Sequence, residues 1–554
     1  MPYTWTLALI FAAWPATLHA QTSAPLSRAA ATLSAGDVAR RIGIIAADSM
    51  LGRDTPSRGL ELTAQYVADQ FRAFGLKPGG DNGTWFQRYP ITRRRLDLNQ
   101  SRVIFSAGHR GDTAWFHQSA RFDGGRVPDS AVVGPAVLLA GRHTAESAER
   151  ASVRDRVTLY VASPATDPGT VQQVLRILFL AGPKALIVLS SRNSAEFAAS
   201  LPRQAAERTV IGSSASKPVV LQVSSEAVEG ALLAAKADLS RLRASTEPMI
   251  RELPELRISV EMKDSITSAQ SAPNTVGILE GSDPVLKDEY LVYSAHMDHI
   301  GVTPGRADSI NNGADDDASG TAGIIELAEA FSRPGVRPRR SIIFLTVSGE
   351  EKGLWGSDYF AGNPPVSIKQ IVANVNMDMI GRNWADTIVA IGKEHSDLGT
   401  TLERVNRAHP ELRMTAIDDR WPEERFYFRS DHYNFARRGV PVLFFFNGVH
   451  EDYHEVTDSP EKINSEKEAR ILKLLFYLGQ EVANAAQRPR WDPESYREIV
   501  EEEAVSSAGL SDPSTLVSKT PTTIKIAPTP CNRCGRSPRS SQAPMTANSG
   551  VTHM

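Results

Sequence analysis

Four apolar segments, each followed by acidic or histidine residues, constrain the fold of this chain more than any other feature. The segments cover residues 291–295, 341–347, 371–377 and 440–446, and the polar residues behind them are His296, Asp298, Glu350, Glu351, Asp378, His450 and His454. Short apolar runs of this kind predict buried strands. Parallel α/β sheets collect their functional groups at the carboxyl ends of strands, so the sequence predicts one site at one edge of such a sheet.

The stretches between the predicted strands carry helical patterns. The acidic stretch at residues 313–320 leads into Ile324, Leu327, Ala328 and Phe331, whose spacing is typical of one face of a helix. Residues 60–74 show a second amphipathic stripe, and the glycines and proline at 75–80 end it. The sequence therefore predicts the α/β class, with a mostly parallel central sheet flanked by helices.

The chain is too long, at 554 residues, for one ordinary domain. Residues 123–255 contain four short apolar runs, one amphipathic helical pattern and no recognisable catalytic constellation, which predicts an inserted, smaller α+β or β domain. The catalytic domain is then formed by residues 24–122 and 256–490. Residues 503–554 are rich in Ser, Thr and Pro and predict a disordered tail, in which the Cys531 and Cys534 pair has no expected structural role.

The first 20 residues resemble a secretory signal peptide. Residues 5–14 are apolar but too few to span a bilayer, and Leu18-His19-Ala20 offers a cleavage site before Gln21. This pattern predicts a periplasmic or extracellular protein with no stable membrane span after the leader is removed. The alternative is a misassigned start codon.

Composition and charge exclude one class of partner. Apolar residues make up 41% and charged residues 23% of the chain, which is ordinary for a globular protein. The formal net charge is -3 and no long basic run occurs, so nucleic acid is not an expected partner.

The residues behind the predicted strands are those that bind paired zinc ions. Zinc takes histidine nitrogen and carboxylate oxygen, and two ions about 3.5–4 Å apart share a bridging carboxylate. The chain supplies His296, one aspartate of 315–317, Glu350 or Glu351, Asp378 and a late histidine. One carboxylate must stay free as a general base, and the glutamate pair offers both roles side by side.

The ordered motifs resemble a known family. The motifs are His296-Met-Asp298, Gly313-Ala-Asp-Asp-Asp-Ala-Ser-Gly320, Glu350-Glu351-Lys-Gly-Leu-Trp-Gly356, Asn376-Met-Asp378 and Asp452-Tyr-His454, together with Leu51-Gly-Arg53 and residues 75–81. They look like those of the co-catalytic di-zinc exopeptidases, which include aminopeptidase Y, bacterial leucyl aminopeptidases and glutamate carboxypeptidase. The resemblance covers most of residues 35–486. It implies the zinc-exopeptidase, phosphorylase/hydrolase-like fold, two zinc ions and a protease-associated domain at residues 123–255.

The resemblance also implies the metal ligands. Asp316 matches the bridging aspartate, because the family pattern is Asp-x-x-Ser-Gly. His296 and Asp378 match the remaining ligands of one zinc, and Glu351 and His454 match those of the other. The same ligands could hold cobalt or manganese.

Further residues are assigned supporting roles. By resemblance, Glu350 matches the general base that takes a proton from the metal-bound water, and Asp298 matches the carboxylate that orients His296. Tyr427 matches a tyrosine that stabilises the tetrahedral intermediate, with Tyr453 as its rival. Asp315 and Asp317 are expected to shape the loop beside the metals, and His299 and His432 to make supporting hydrogen bonds.

One competing motif is present. His450-Glu-Asp-Tyr-His454 satisfies H-E-x-x-H, the single-zinc protease pattern, which requires a helix to bring both histidines to one face. This stretch follows an apolar strand-like run and precedes Thr457, Asp458, Ser459 and Pro460. We therefore expect no helix here and no chemical role for Glu451.

The predicted function is that of a secreted di-zinc metallo-exopeptidase, an aminopeptidase acting on peptides with a free N-terminus. The alternatives are a glutaminyl cyclase-like acyltransferase, dipeptide or carboxypeptidase activity, and a non-catalytic receptor-like ectodomain on the same scaffold. A carboxypeptidase would need basic residues to hold a substrate carboxylate. Arg382, Arg425 and Arg429 lie near motifs, and sequence alone assigns them to the surface. Side-chain preference and oligomeric state stay open.

Overall fold

The computed structural model describes residues 17–502, except residues 191, 193, 200, 202–206, 213–217 and 306. Residues 1–16 of the predicted signal peptide and the whole predicted tail at 503–554 lie outside the described residues. The described chain forms two large sheets flanked by helices. The predicted α/β class is confirmed.

The described residues form strands and helices that are numbered in chain order. The strands are β1 Lys77–Pro78, β2 Phe86–Leu96, β3 Arg102–Ala107, β4 Arg110–Trp115, β5 Ala120–Gly124, β6 Val132–Gly141, β7 Val157–Ala162, β8 Ala185–Ser190, β9 Arg208–Ile211, β10 Val219–Ser224, β11 Met249–Glu261, β12 Asp264–Leu279, β13 Tyr290–His296, β14 Ser341–Val347, β15 Ile371–Met377, β16 Thr387–Ile391, β17 Thr415–Ile417 and β18 Val442–Phe445. The helices are α1 Thr17–Thr32, α2 Ala35–Ile45, α3 Arg58–Ala73, α4 Ala145–Glu149, α5 Pro168–Leu180, α6 Ser194–Ala199, α7 Glu229–Ala234, α8 Leu239–Ala244, α9 Gly320–Phe331, α10 Trp355–Gly362, α11 Leu398–Ala408, α12 His432–Ala436, α13 Ser465–Asn484 and α14 Pro493–Tyr496.

The larger sheet carries the four predicted strands at its centre. Its order is β17-β16-β18-β15-β13-β14-β12-β2-β9, and β1 pairs with β12. The central strands β14, β13, β15 and β18 are parallel to one another, as predicted. The strands outside them add antiparallel pairs, such as β12 with β14 and β16 with β18. The carboxyl ends of the four central strands therefore meet at one edge.

Helices cover both faces of this sheet. In β13, Leu291 and Tyr293 are buried in the core that includes residues of α2, α9 and α13, while Val292 is buried in the core shared with α10 and α12. Alternate strand residues point to opposite faces, and a parallel strand covered on both sides reads as a continuous apolar run. This double burial explains why the central strands could be recognised from unbroken apolar segments.

A second sheet lies within residues 102–261. Its order is β4-β3-β11-β6-β7-β8-β10-β5, and it has its own core, which includes residues of α7 and α8. Helices α4 and α5 contribute to a separate core over residues of β6, β7 and β8. The long strands β2 and β12 pair along their length on either side of this region, from Phe86 with Thr275 to Leu96 with Asp264. The second sheet thus starts before and ends after the interval 123–255, and its assignment as a protease-associated domain stays a prediction.

No helix among the described residues combines the length and the apolar character needed to cross a membrane.

Candidate metal centre

The central strands deliver four of the predicted site residues to one edge of the larger sheet. His296 is the last residue of β13, Asp378 follows the end of β15, and Glu350 and Glu351 follow the end of β14. The tight turn Ala314–Ser319 lies between β13 and α9 and brings Asp316 to the same edge. The parallel arrangement of these strands places their ends side by side, as the sequence predicts.

Two groups of potential ligands meet at Asp316. His296, Asp316 and Asp378 form one group, and His299, Asp316, Glu351 and His454 form the other, and the ligand atoms within each group lie within 4.8 Å of one another. Asp316 turns one carboxylate oxygen toward each group. Its Oδ1 lies 3.2 Å from His296 Nε2, and its Oδ2 lies 3.1 Å from His454 Nε2. All five predicted metal ligands are thus brought together.

The spacing within each group fits a bound metal ion. His296 Nε2 is 3.5 Å from Asp378 Oδ1, and His454 Nε2 is 3.0 Å from Glu351 Oε2. Two ligands that each lie ~2.1 Å from a tetrahedral zinc ion are about 3.4 Å apart. Among the described residues, His454 Nε2 is buried without a hydrogen-bond partner, although both carboxylates are near. The donor set therefore fits one ion in each group, with Asp316 between them.

The carboxylates make this edge strongly negative. Although burial lowers the pKa of His296, nearby Asp378, Asp317 and Asp316 raise it well above its usual value. Burial likewise lowers the pKa of His454, yet Asp316 and Glu351 raise it to about 10. The potential at both groups thus favours positive charge.

Glu350 lies beside the ligands rather than among them. Removal from water raises the pKa of its carboxyl group well above the usual value, and Asp431, Glu351 and Asp378 raise it further. The backbone N–H of Glu350 donates to Asp298 Oδ1 at 3.3 Å. Glu350 lines the same cavity as His296, Asp316 and Asp378, and its role as the base stays a prediction.

Asp298 holds the site together more broadly than predicted. It accepts hydrogen bonds from Thr55 Oγ1 at 3.0 Å and from the Glu350 backbone N–H at 3.3 Å, and burial raises its pKa to about 6. His296 Nδ1 is closer to the backbone carbonyl of Asp298, at 3.2 Å, than to its carboxylate, at 3.8 Å. The histidine is therefore oriented by the main chain of Asp298, and the carboxylate fixes Glu350.

The aspartates beside Asp316 shape the loop, as predicted. Asp317 accepts hydrogen bonds from the backbone N–H groups of His296, Gly320 and Met379. Asp458 accepts from the backbone N–H groups of Asp315 and Asp316, at 3.0–3.1 Å. This contact of Asp458 with the metal loop was not predicted from the sequence, in which residues 457–460 indicate only a turn.

A buried polar chain supports Asp378. Ser430 Oγ donates to Asp378 Oδ2 at 3.0 Å, and Asn376 Nδ2 donates to Ser430 Oγ at 3.2 Å. Ser294 Oγ in turn donates to Asn376 Oδ1 at 2.6 Å. Such hydrogen bonds fix the orientation of a ligating carboxylate. Ser294 and Asn376 are polar residues inside the neighbouring apolar strands β13 and β15. They are the sequence signal from which this series of hydrogen bonds could have been predicted.

Arg53 ties the N-terminal segment to the metal loop. Its guanidinium is fully buried and donates to the backbone carbonyls of Ile45, Met297, Asn312 and Gly313. The carbonyls of Met297 and Gly313 lie close to the ligands on either side. This contact explains why Leu51-Gly-Arg53 belongs to the site although it precedes the first ligand by more than 200 residues.

The H-E-x-x-H stretch is not a helix. Residues 451–454 form a turn, and Glu451 is exposed. His450 Nε2 contacts Asp315 Oδ2 at 3.2 Å, while His454 belongs to the second ligand group. The two histidines therefore face different partners, and the single-zinc motif is not formed.

His299 is an additional member of the second group. Its Nδ1 makes a hydrogen bond of 2.8 Å with Glu351 Oε1, and it lies 3.7 Å from Asp316 Oδ2. The other oxygen of Glu351 faces His454. His299 contacts Glu351 and is also close enough to be a ligand of the second group, so its supporting role stays a prediction.

A small cavity of ≈ 50 Å³, partly open to solvent, lies over the first group. It is lined by His296, Asp316, Glu350, Asp378, Met379, Phe426, Arg429, Ser430, Phe444, Phe446, Val449 and Tyr453. Tyr427 does not line it, and its ring packs edge-on against His395 and His432 instead. Tyr453 stacks on His454 at 3.9 Å, and burial raises the pKa of its hydroxyl well above the usual value. The position of Tyr453, and not that of Tyr427, fits contact with a substrate.

The part of the chain that carries this site matches a known family. Residues 274–479 match the family model described as peptidase family M28. This chain contains an M28 domain. The match covers all five predicted ligands and Glu350, so the predicted family is confirmed at the level of this domain.

Curated relatives similar to this chain include probable zinc metalloproteases and a leupeptin-inactivating enzyme. Leupeptin-inactivating enzyme 1 from Streptomyces exfoliatus is 28% identical over 222 residues, which cover 40% of this chain and 45% of the relative. A probable zinc metalloprotease from Pyricularia oryzae is 27% identical over 263 residues, covering 39% of this chain and 51% of the relative. Another from Leptosphaeria maculans is 35% identical over 113 residues, which cover 20% of this chain and 25% of the relative. The chain therefore spans about half the length or less of these relatives.

Solved structures include aminopeptidases similar to this chain. An aminopeptidase from Aneurinibacillus sp. is 18% identical, with 84% of this chain and 97% of that chain covered and a TM-score of 0.41. The LapA aminopeptidase of Legionella pneumophila is 24% identical, with 39% of this chain and 56% of that chain covered and a TM-score of 0.33.

Proposed function

We propose that this chain is a di-zinc exopeptidase that releases N-terminal residues from peptides. The observation that supports this proposal most strongly is the pair of ligand groups that share Asp316, with Glu350 lining the same cavity as His296, Asp316 and Asp378. His296 and Asp378 would hold one zinc ion, and Glu351 and His454 the other. Zinc bound there would supply Lewis acidity, which lowers the pKa of water and polarises a carbonyl group.

The role of Glu350 is proton transfer. Glu350 lines the cavity together with His296, Asp316 and Asp378, and it belongs to neither ligand group. It would take a proton from the attacking water and deliver that proton to the nitrogen of the departing amine. Asp298 holds the Glu350 main chain in place for this transfer.

The cavity walls would orient the substrate. Phe426, Phe444, Phe446 and Val449 form an apolar wall, which suits an apolar side chain next to the scissile bond. The Tyr453 hydroxyl would donate a hydrogen bond to the carbonyl oxygen as negative charge develops on it.

Replacing Tyr453 with phenylalanine should lower kcat by roughly a hundredfold, because one donor to the developing oxyanion is lost. The Tyr427→Phe variant is the matched control and should keep kcat near the wild-type value, since Tyr427 does not line the cavity. Steady-state kinetics on one peptide measures both. A larger loss in Tyr427→Phe than in Tyr453→Phe would contradict this assignment and restore the role predicted for Tyr427.

The proposed function is tested by metal content together with turnover. The purified, zinc-loaded protein should contain about two zinc ions per chain and release N-terminal residues from free peptides. The same peptides with an acetylated N-terminus are the control and should not be cleaved.

Other outcomes would favour the alternatives. One zinc ion per chain, with ammonia released from an N-terminal glutamine, would support a cyclase-like acyltransferase. Release of C-terminal residues from acetylated peptides would support a carboxypeptidase. Absence of both metal and turnover would support a non-catalytic, receptor-like ectodomain.

We also propose that the chain acts outside the cytoplasm. The support is the apolar segment at residues 5–14 followed by the cleavage-like Leu18-His19-Ala20. Peptides with a free N-terminus are the proposed partners.

A further inference from the structure

Arg429 is a charged residue of the cavity lining that the proposed reaction does not use. The titratable lining residues His296, Asp316, Glu350 and Asp378 belong to the ligand groups or supply the base. The remaining lining residues are apolar or neutral, apart from Arg429. A single guanidinium therefore faces the space in which a substrate would lie.

The guanidinium is positioned but only weakly neutralised. It lies over the ring of Phe426, 4.8 Å from the centroid, so the cavity wall itself holds it. Its Nη1 donates to the Glu424 backbone carbonyl at 3.4 Å and is 3.6 Å from Glu424 Oε2, and the two side chains are 53% and 47% exposed. Ion pairs this exposed contribute little, and Glu424 is the one carboxylate paired with Arg429 in the described part of the chain. Most of its five donors stay available.

The two other arginines near the motifs, Arg382 and Arg425, do not present an available guanidinium to the cavity. Arg382 is paired with Asp452 at 3.0 Å and is mostly buried, at 16% exposed. Arg425 lies over Phe428, 4.7 Å from the ring centroid, and does not line the cavity. The sequence assigned all three to the surface, and the structure separates Arg429 from the others.

We propose that Arg429 binds the free α-carboxylate of the residue that leaves, so that the preferred substrates are dipeptides. This proposal rests on the proposed function. In a dipeptide cleaved after its first residue, only one Cα separates the scissile nitrogen from the terminal carboxylate. Arg429 lines the same cavity as His296, Asp316 and Asp378, and the fork geometry of a guanidinium matches a carboxylate with two parallel hydrogen bonds. A longer peptide would place an uncharged amide there.

The test compares Leu-Phe with Leu-Phe-amide, which differ only in the carboxylate. The zinc-loaded wild-type protein should show kcat/KM for the acid roughly ten- to hundredfold above that for the amide, as expected for a hydrogen bond to a charged group. In Arg429→Gln this ratio should fall toward one, mainly through KM. A ratio is insensitive to a general loss of folded enzyme, because both substrates are then affected equally. Arg425→Gln is the matched control and should keep the wild-type ratio.

Each other result contradicts the proposal in a distinct way. A wild-type ratio near one, or a ratio that Arg429→Gln leaves unchanged, would overturn the role of Arg429 while leaving the exopeptidase function standing. Leu-Asp-amide cleaved as well as Leu-Phe, with the advantage lost in Arg429→Gln, would assign Arg429 to an acidic side chain instead. Cleavage of neither Leu-Phe nor its amide, with no zinc bound, would overturn both proposals.

Discussion

The Glu350→Gln variant should lose about 10²–10⁴-fold in kcat, the usual contribution of a general acid–base group, while its zinc content stays at the wild-type level. Glutamine keeps the size of the side chain and the backbone hydrogen bond to Asp298, but it cannot accept and return a proton. Because Glu350 is not a member of either ligand group, the metals should remain bound. Zinc analysis and steady-state kinetics on the same preparation measure the two effects separately.

The neighbouring glutamate provides the contrast. Glu351→Gln changes a ligand of the second group and weakens the contact with His299, so zinc content should fall together with turnover. Turnover by Glu350→Gln at the wild-type rate would rule out the proton-transfer role. Loss of zinc from Glu350→Gln would instead identify Glu350 as a ligand.

The Asp316→Ala variant should lose both zinc ions and lower turnover by roughly 10⁴-fold or more, since water activation and carbonyl polarisation disappear together. The reason is geometric, because each oxygen of Asp316 faces a different group. The loop itself should persist, since Asp458 binds the backbone N–H groups of residues 315 and 316 and not their side chains. Circular dichroism and zinc analysis on the same sample test both statements.

His454→Ala is the control for this second prediction. It removes a ligand from only one group, so about one zinc ion per chain should remain, held by His296, Asp316 and Asp378. If Asp316→Ala kept two zinc ions, Asp316 would not be the bridge. Equal zinc loss in Asp316→Ala and His454→Ala would show that zinc binding by His296, Asp316 and Asp378 depends on the ion held at His454.

The centre of the fold and the ligand set could be predicted from the sequence because both depend on local signals. Strands buried on both faces are unbroken apolar runs, as β13 shows, and the ligands come directly after them. Because those strands are parallel, their carboxyl ends meet at one edge of the sheet and bring the ligands close together. The resemblance to the family pattern Asp-x-x-Ser-Gly then implies that Asp316 is the aspartate of residues 315–317 that faces the metals.

The supporting contacts could not be predicted, because they join residues that are distant in the sequence. Asp458 binds a backbone 142 or 143 residues away, and Ser430 reaches Asp378 across 52 residues. The choice between Tyr427 and Tyr453 depends on which ring turns into the cavity, and spacing carries no information on that. The position of Arg429 could not be predicted either, because spacing does not show that its guanidinium lies over the ring of Phe426 in the cavity wall.

The contact of Arg53 with the metal loop has a consequence for the synthesis of the chain. Met297, whose carbonyl Arg53 binds, is made 244 residues later. At about 5–20 residues per second, roughly 12–50 s pass on the ribosome before Arg53 gains its Met297 acceptor, whereas the Ile45 carbonyl precedes it in the chain. The second sheet, with a core of its own, lies wholly within that interval and can fold in the meantime. The burial of this cation can therefore be completed only after residues 297–313 have been made.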